Sequence, residues 1–325
     1  IKNGAKKTEL TLKVDGAVGR RYGTELAVDP TDVDWHAFFD LEAYRGTAAR
    51  VRAARATEEA FSLVRQADRV PGSEDWYPES LRPQLRFSQV VGWNNDPNGM
   101  LYIDGEWHLF MQHNPVGWSW GNMTWGHAVS RDLVHWEQLP NALFPKTMAV
   151  GDCFSGGGTV DRKNTGGWKI NDNDVVVVFL TDTGAGESLA YSVDRGRTFT
   201  WYEGNPVVKH RGRDPKVIWY NYDTDDEPLN SRAKRLGGHW VMAVYDEHEQ
   251  YEQNIAFYTS VDLKQWSEQS HLTGYYECPE IFELPVDGRA GKARWVLFAA
   301  DAQYALGQFD GRTFTPDYIT RELKL

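Results

Sequence analysis

A short element with an aspartate and a following aromatic residue, preceded by serine in three of its copies, occurs four times in this chain. An internal repeat constrains a fold more strongly than any other sequence feature. Two copies are clear, SRDLVHW from residue 130 and SVDLKQW from residue 260, and two are looser, SVDRGRTF from residue 192 and GQFDGRTF from residue 307. In chain order the copies start 62, 68 and 47 residues apart. Repeats of about 40–50 residues that hold several strands each are typical of the blades of a β-propeller.

Each copy follows two short apolar segments that favour β-strands. The strands predicted directly before the copies are residues 126–129, 189–191, 255–258 and 304–306. The strands predicted farther upstream are residues 107–112, 175–181, 240–245 and 295–300. The polar segment 223–235 is predicted to be a surface loop between strands. We therefore predict an all-β chain in which a β-propeller spans residues 83–325, with four blades visible.

Residues 1–82 lack the repeat, and the sequence predicts a separate small module there. Segments 8–14 and 49–53 alternate apolar and polar residues, which indicates half-buried strands. The Ala, Arg and Glu content of residues 48–60 favours a helix instead, and we prefer the strand. Proline and glycine punctuate residues 71–83 like a linker. The prediction is a β-sandwich-like module and linker over residues 1–82.

Composition and charge exclude several classes of protein. The 325 residues are 41% hydrophobic and 25% charged, which indicates a globular chain. The longest apolar runs, at 175–180 and 295–300, are far shorter than the roughly 20 residues of a membrane-spanning helix. The net charge of −11 argues against nucleic acid as a partner. The nine histidines lack the spacing of a zinc site, so no metal and no cofactor is predicted. The chain starts at Ile1, without a visible signal segment.

The predicted first strands of the blades share a pattern of carboxylates. Three of them, starting NDPNGMLY at residue 95, RDPKVIW at 213 and ECPEIF at 277, place a carboxylate one or two residues before a proline, and the fourth, FSGGGTV at 154, does not. Each segment alone suits a turn or a surface ion pair. Equivalent positions of successive blades converge on one end of a propeller, so Asp96, Asp214 and Glu277 are expected to meet in one funnel. Burying three carboxylates together costs free energy, which favours a functional role for them. Repulsion among them raises at least one pKa while the others stay ionised, and glycoside hydrolysis needs one protonated and one ionised carboxyl group.

The chain resembles glycoside hydrolase family 32, the β-fructofuranosidases that include invertases, inulinases and levanases. The resemblance covers the chain from about residue 83 and rests on six ordered motifs, at residues 93–99 (WNNDPNG), 109–115 (LFMQHNP), 120–128 (WGNMTWGHA), 154–156 (FSG), 213–215 (RDP) and 277–279 (ECP). Asn94, Met111 and His113 depart from the residues usual in the family. The resemblance implies a five-bladed β-propeller catalytic domain. Because only about four blades are visible, we expect a C-terminal truncation.

The resemblance also implies roles for individual residues. Asp96 is expected to be the nucleophile, Glu277 the general acid/base and Asp214 the transition-state stabiliser. Cys278, next to the acid, is expected to help tune its pKa. The residues expected to bind the terminal fructose are Asn95, Gln112, Trp120, Phe154, Ser155 and Arg213, with ordinary packing as the alternative for Trp120 and Phe154.

The implied activity is that of a retaining exo-β-fructosidase, which hydrolyses terminal non-reducing β-D-fructofuranosyl residues of fructans such as inulin and levan, and of sucrose. The segment 304–314 resembles inulinases and levanases more than plant-type invertases, and it favours fructan. Three alternatives stay open: an invertase acting mainly on sucrose, a related five-bladed glycosidase acting on arabinose or xylose polymers, and a catalytically silent sugar-binding propeller. The polymeric substrate points to a secreted or periplasmic location, and no oligomeric state is predicted.

Overall fold

A computed structural model describes residues 1–145, 151–247, 250–289, 292–317 and 321–322, and β-strands dominate this part of the chain. The chain divides into two compact units. Unit 1 consists of Ile1–Pro97 and Gly105–Cys153, and unit 2 consists of Asn98–Asp104 and Phe154–Leu325. None of the helices among the described residues has the length and apolar composition that crossing a membrane requires.

The N-terminal residues form one antiparallel sheet in unit 1, with strand order β2-β1-β3. Its strands, with the short helix after them, are β1 (Lys7–Val14), β2 (Ala17–Glu25), β3 (Ala49–Ala54) and α1 (Glu58–Ser62). The alternation of residue types places Leu10, Leu12 and Tyr22 in the buried interior. Both predicted N-terminal strands are therefore confirmed, and the ambiguous segment 48–60 holds a strand followed by a helix that Thr57 caps. The sandwich-like character and the boundary at residue 82 stay predictions.

Four further sheets follow, one for each copy of the repeat, and we number them repeat sheets 1 to 4. Repeat sheet 1 contains β4 (Trp93–Ile103), β5 (Glu106–Asn114), β6 (Thr124–Ser130) and β7 (Trp136–Leu143). Repeat sheet 2 contains β8 (Cys153–Asp161), β9 (Val175–Asp182), β10 (Gly186–Ser192) and β11 (Thr200–Trp201). Repeat sheet 3 contains β12 (Gly212–Asn221), β13 (Gly238–Asp246), β14 (Asn254–Ser260) and β15 (Ser267–Thr273). Repeat sheet 4 contains β16 (Glu280–Pro285), β17 (Ala293–Phe298), β18 (Gln303–Phe309), β19 (Phe314–Pro316) and β20 (Arg321–Glu322).

Within each repeat sheet the strands are neighbours in chain order, except that β20 pairs with β18. All eight strands predicted around the repeats are confirmed. The prediction of a loop over 223–235 is wrong at its end, because helix α2 (Ser231–Leu236) forms there. Asn230 caps the start of this helix, and Gly237 ends it in a left-handed conformation. Single 3₁₀ turns occur at Pro30–Asp32, Glu42–Tyr44, Ser73–Asp75 and Val286–Gly288.

Buried apolar side chains fill the space between neighbouring repeat sheets of unit 2. Strands β9 and β13 are buried along their whole length, so each contributes side chains to the core from both of its faces. The cluster between repeat sheets 2 and 3 includes Val177, Phe179, Leu189, Met242 and Val244. The cluster between repeat sheets 3 and 4 includes Val241, Phe257, Leu297, Phe309 and Phe314.

The first strands of the repeat sheets approach one another closely in unit 2. A Cβ atom on Gly157 in β8 would lie 3.0 Å from the carbonyl oxygen of Pro215 in β12. A Cβ atom on Gly158 would lie 2.7 Å from the carbonyl oxygen of Gly99 in β4. Strand β12 also contacts β16. Because glycine has no Cβ, the glycine run of β8 allows an approach that a larger residue would prevent.

The repeated Ser-x-Asp element is a hydrogen-bonded turn between two strands. In the copy before β15, the Ser260 hydroxyl accepts from the backbone N–H groups of Asp262 and Leu263, and the Trp266 indole N–H donates to the Leu263 carbonyl at 3.0 Å. The Asp262 carboxylate accepts from the backbone N–H groups of Lys264 and Gln265. The turn requires a left-handed residue at its centre, with φ of +66° at Leu263 and +65° at the equivalent Leu133. The copy from residue 130 makes the equivalent hydrogen bonds, so the two clear copies of the element form the same turn.

These two leucines provide a matched test of that turn. Leu133 is 53% exposed and Leu263 is fully buried, yet both adopt a conformation that costs a non-glycine residue about 1–2 kcal/mol. We expect Leu133→Gly to raise the free energy of unfolding by about 0.5–1 kcal/mol. Leu263→Gly should lower it by about 2–5 kcal/mol, because the buried side chain is lost. Urea unfolding of both variants measures these changes, and a loss of stability in both would show that backbone strain at the turn is small.

Candidate active site

Asp214 lies in a β-bulge of strand β12. Arg213 pairs with Tyr245 of β13, but the next paired residue is Lys216, opposite Ala243, so one extra residue is inserted between them. Asp214 has φ of +69°, a left-handed conformation that is uncommon for aspartate. Pro215 has no N–H to contribute to the sheet, and prolines in strands are found at bulges for this reason. The Arg-Asp-Pro sequence thus forms a bulge that reorients the aspartate.

The Asp214 carboxyl group is buried and is held by the segment before β16. The Cys278 backbone N–H donates to Oδ2 of Asp214 at 3.2 Å, and the Cys278 thiol does so at 3.5 Å. Burial raises the pKa of Asp214 to about 7, and the charge of Glu187 adds to this rise. The two hydrogen bonds from Cys278 and the charge of Arg213 act in the opposite direction. Asp214 therefore titrates near neutral pH.

Arg213 connects the bulge to Glu277. Its Nε donates to Oε1 of Glu277 at 2.8 Å, and its Nη2 donates to the same oxygen. Its Nη1 donates to Oε1 of Glu247 at 2.6 Å, and its Nη2 also donates to the Tyr276 hydroxyl at 3.2 Å. The guanidinium carbon lies 4.9 Å from the centroid of the Tyr245 ring. A guanidinium with charged partners on several sides and an aromatic face beneath it has little freedom to move.

The backbone at Glu277 and Cys278 is strained. Both residues adopt left-handed conformations, with φ of +55° and +40°. The Ala300 N–H donates to the carbonyl groups of both Tyr276 and Glu277 at 3.1 Å, which ties this turn to the segment after β17. Consecutive left-handed residues without glycine persist only where the surroundings impose them, and they concentrate at functional sites.

Four of the sequence-predicted site residues lie in unit 1. Asn95 and Asp96 are partly buried residues on β4. Gln112 is buried in β5, and its side-chain Nε2 donates to the Cys153 carbonyl at 3.0 Å. Trp120 lies in the loop between β5 and β6 and is 56% exposed, so it is not part of the core.

The N-terminal sheet holds the loop that carries Trp120. Thr24 of β2 donates its hydroxyl hydrogen to the Val116 carbonyl at 2.8 Å. Asn122 makes two hydrogen bonds to the backbone of Gly23, at 2.8 and 2.9 Å. The Trp118 indole N–H donates to Glu25 at 2.8 Å. Three successive residues of β2 therefore fix both ends and the middle of this loop.

Phe154 and Ser155 lie on β8 in unit 2, where Phe154 is partly buried and Ser155 is buried. The structure therefore brings together Arg213, Asp214 and Glu277 among the predicted site residues, with Cys278 beside them. The convergence of all three carboxylates stays a prediction.

Sequence reasoning missed several residues that contact this cluster. They are Thr181, Glu187, Tyr245, Glu247 and Tyr276, which lie on other strands or loops and belong to none of the recurring motifs. The one available signal was a charged residue, Glu187, within the otherwise uncharged strand β10.

Among the described residues, no group of three or more His, Cys, Asp and Glu side chains is arranged to hold a metal ion. A pocket of about 650 Å³ lies in the N-terminal module, lined by residues of β1, β3 and α1 among others. It shares no residue with the candidate set.

The family model for the glycosyl hydrolases family 32 N-terminal domain matches residues 87–324. A levanase of Bacillus subtilis is 41% identical over 263 residues, which cover 74% of this chain and 36% of the levanase. An invertase of Schizosaccharomyces pombe is 37% identical over 271 residues, which cover 74% of this chain and 44% of the invertase. The chain thus spans less than half the length of these curated relatives.

Solved structures are similar to this chain as well. The exo-inulinase from Aspergillus awamori has a TM-score of 0.62 and 31% identity, covering 76% of this chain and 54% of the inulinase chain. A β-fructofuranosidase from Schwanniomyces occidentalis complexed with fructosyl-erythritol has a TM-score of 0.61 and 33% identity, covering 74% of this chain and 49% of that chain.

The burial of Asp214 predicts a dependence of stability on pH. Its raised pKa means that folding favours the neutral carboxyl group, so this contribution is present below pH 4 and is lost as pH rises through 7. Asp214→Asn keeps the group neutral at every pH. We expect Asp214→Asn to raise the free energy of unfolding at pH 8 by at most about 4 kcal/mol, which corresponds to a pKa difference of roughly three between the folded and unfolded states. At pH 4 we expect the free energy of unfolding to change little.

Thermal and urea unfolding at both pH values test this expectation. Asp172→Asn removes an exposed carboxylate of the same unit and serves as the control. Equal stability changes at pH 4 and pH 8 in Asp214→Asn would contradict the prediction.

Proposed function

This chain belongs to glycosyl hydrolase family 32, and we propose that it is a retaining exo-β-fructosidase. Its substrates are the terminal non-reducing β-D-fructofuranosyl residues of fructans such as inulin and levan, and of sucrose. The observation that carries the proposal is the cluster in which Arg213 binds Glu277 while Cys278 binds the buried Asp214. Two carboxyl groups in such different surroundings suit two different tasks in one reaction.

The proposed reaction uses two carboxyl groups in two steps. Asp96 attacks C2 of the terminal fructosyl residue while Glu277 gives its proton to the bridging oxygen, so the C2–oxygen bond breaks and a fructosyl ester forms on Asp96. Water then attacks the same carbon, Glu277 takes a proton from that water, and the Asp96 carboxylate is released. Two displacements at C2 return the β configuration.

Asp214 and Asn95 are proposed to bind fructose hydroxyl groups. Because Asp214 titrates near pH 7, small changes in its surroundings decide whether it accepts or donates a hydrogen bond. Asn95 has a buried side-chain oxygen with no hydrogen-bond partner among the described residues. A sugar hydroxyl would supply the missing donor at that position. The same role in substrate binding is proposed for Gln112, Trp120, Phe154, Ser155 and Arg213.

The proposed architecture is a five-bladed β-propeller in which repeat sheets 1 to 4 are blades, preceded by a β-sandwich-like module over residues 1–82. The close approach of β4, β8, β12 and β16 supports this arrangement, because first strands line the channel of a propeller. A secreted or periplasmic location is proposed because the proposed substrates are polymers and because two similar proteins from Aspergillus are described as extracellular exo-inulinases.

Sugar release from sucrose, inulin, levan and arabinan tests the substrate class. Release from inulin or levan at least as fast as from sucrose supports the exo-fructanase. Fast release from sucrose alone would indicate an invertase, and release from arabinan alone would reject the fructosidase. Binding of these sugars without release would indicate a silent sugar-binding protein.

Glu277→Gln is expected to remove acid catalysis and leave the fold intact. Loss of a positioned general acid costs about 10²–10⁴-fold in rate. A β-fructoside with an activated aryl leaving group needs no proton, so its first step should be slowed much less than that of sucrose. Rates of fructosyl transfer measured for both substrates give this comparison. Glu280→Gln, which removes a carboxylate that pairs with Lys216 at 2.5 Å, is the matched control. Equal losses for both leaving groups would remove Glu277 from the acid role.

The stereochemistry of release tests the nucleophile. We expect the first fructose released to be the β anomer, because a covalent intermediate on Asp96 inverts the configuration twice. Proton NMR during early turnover follows the anomers before they equilibrate. Mass spectrometry of the peptide that contains Asp96, after quenching during turnover of an activated substrate by Glu277→Gln, locates the ester. Initial release of the α anomer, or an ester on another residue, would reject the assignment.

A further inference from the structure

Three buried ionisable side chains lie beside the candidate active site and belong to none of its motifs. They are Glu187 on β10, His210 before β12 and Asp246 at the end of β13. Glu187 is fully buried, and the side chains of His210 and Asp246 are 6% and 5% exposed. Burying ionisable groups is costly even when they are paired, so their presence here calls for a physical reason.

His210 joins the two carboxyl groups. Its Nε2 lies 2.7 Å from Oε1 of Glu187, and its Nδ1 lies 3.4 Å from Oδ1 of Asp246. Burial lowers the pKa of His210, but the hydrogen bonds and charges of the two carboxylates outweigh it and raise the pKa above its usual value. When His210 is protonated, both ring nitrogens donate, and the line formed by Glu187, His210 and Asp246 then holds a cation between two acceptors.

Thr181 connects this line to Asp214. The Thr181 hydroxyl lies 3.0 Å from Oε2 and 3.2 Å from Oε1 of Glu187, and it accepts from the Asp214 backbone N–H at 2.9 Å. A hydroxyl group has one hydrogen, and donating it to Glu187 leaves an oxygen lone pair for Asp214. The accepted N–H belongs to the bulge residue whose φ is +69°. Burial raises the pKa of Glu187, while the charge of His210 and the hydrogen bonds with His210 and Thr181 act in the opposite direction. In its carboxylate form, Glu187 sets the direction of the bond that holds the bulge.

We propose that Glu187, with His210 behind it, is a positioning residue for Asp214, acting through the Thr181 hydroxyl and through its own buried charge. Glu187 does not touch substrate in this proposal. The inference rests on the proposed function only in that Asp214 acts on the sugar.

The charged groups around Asp214 determine what a change at Glu187 does. Arg213 and the two donors of Cys278 favour the carboxylate form of Asp214, whereas burial and Glu187 favour the neutral form. Farther along the line, Asp246 has a second neighbour in His271, with Nδ1 4.0 Å from Oδ2, and the Tyr258 ring centroid lies 6.5 Å from that of His210. Replacing Glu187 by glutamine removes the negative charge of the line that acts on Asp214 and keeps an acceptor for Thr181. Glu187→Gln therefore changes the titration of Asp214 and keeps the hydrogen bond at Thr181 that holds the bulge.

Two variants test the proposal on catalysis. In Glu187→Gln, the limb of the pH profile of kcat/KM that Asp214 governs should move to lower pH by about half a unit or more. In Thr181→Val, which keeps the shape but loses the hydroxyl group, kcat should fall about five- to tenfold while KM changes little, the equivalent of one lost hydrogen bond. Thr181→Ser should restore kcat. Ser188→Ala, a buried neighbour of Glu187 on β10, is the control and should leave the pH profile unchanged.

A measurement without substrate separates this proposal from the proposed function. Carbon-13 NMR of protein labelled at the aspartate carboxyl groups follows the titration of Asp214, assigned by the signal missing from Asp214→Asn. Glu187→Gln should move this titration to lower pH even if no fructoside is hydrolysed. An unchanged titration in Glu187→Gln, or equal kcat in Thr181→Val and the wild type, would overturn the proposal. If Glu187→Gln does not fold, the comparison of the two Thr181 variants decides it.

Discussion

The free energy cost of removing the Asp214 carboxyl group from water is the constraint on which the candidate active site depends. Burial raises the pKa of this group to about 7, and the surrounding chain supplies the groups that limit the cost. The Cys278 N–H and thiol reach Oδ2 only because Glu277 and Cys278 adopt left-handed conformations. The strained backbone at those residues and at the bulge costs free energy locally. Burial of the apolar clusters between repeat sheets stabilises the fold and offsets this cost.

Arg213 makes the cluster rigid, and its place in the sheet explains how. It stands opposite Tyr245 in the register of β12 and β13, so its guanidinium lies over the tyrosine ring while its nitrogens reach Glu277 and Glu247. One side chain thereby connects the bulge, the neighbouring strand and the turn before β16. A lysine has a single ammonium group and could not form these bonds simultaneously in fixed directions. Arg213 therefore holds the site together and is also a candidate for substrate binding.

The sequence predicted the features that are local and repeated. The strands around the repeated elements were found because their residues are apolar and because the elements recur between strands. The sequence predicted that Asp214 and Glu277 meet with Asp96 in one funnel, but it did not predict the hydrogen bonds from Arg213 to Glu277 and from Cys278 to Asp214. The line from Glu187 through His210 to Asp246 was not, because its members are separated by 23 and 36 residues and no period relates them. Helix α2 was missed because it has six residues and depends on Asn230 and Gly237 at its ends.

The N-terminal sheet has a second role besides its own stability, because it sets the position of a loop that carries a candidate substrate-binding residue. Leu10, Leu12 and Tyr22 are buried and keep β2 in register with β1, so Gly23, Thr24 and Glu25 present their hydrogen-bonding groups in fixed places. The loop with Trp118 and Trp120 receives four hydrogen bonds from those three residues. An exposed indole ring can recognise a sugar only if its plane is held still, since ordering a mobile side chain on binding costs about 0.5–1.5 kcal/mol. If Trp120 binds sugar as proposed, the N-terminal sheet lowers part of that cost by fixing the loop that carries it.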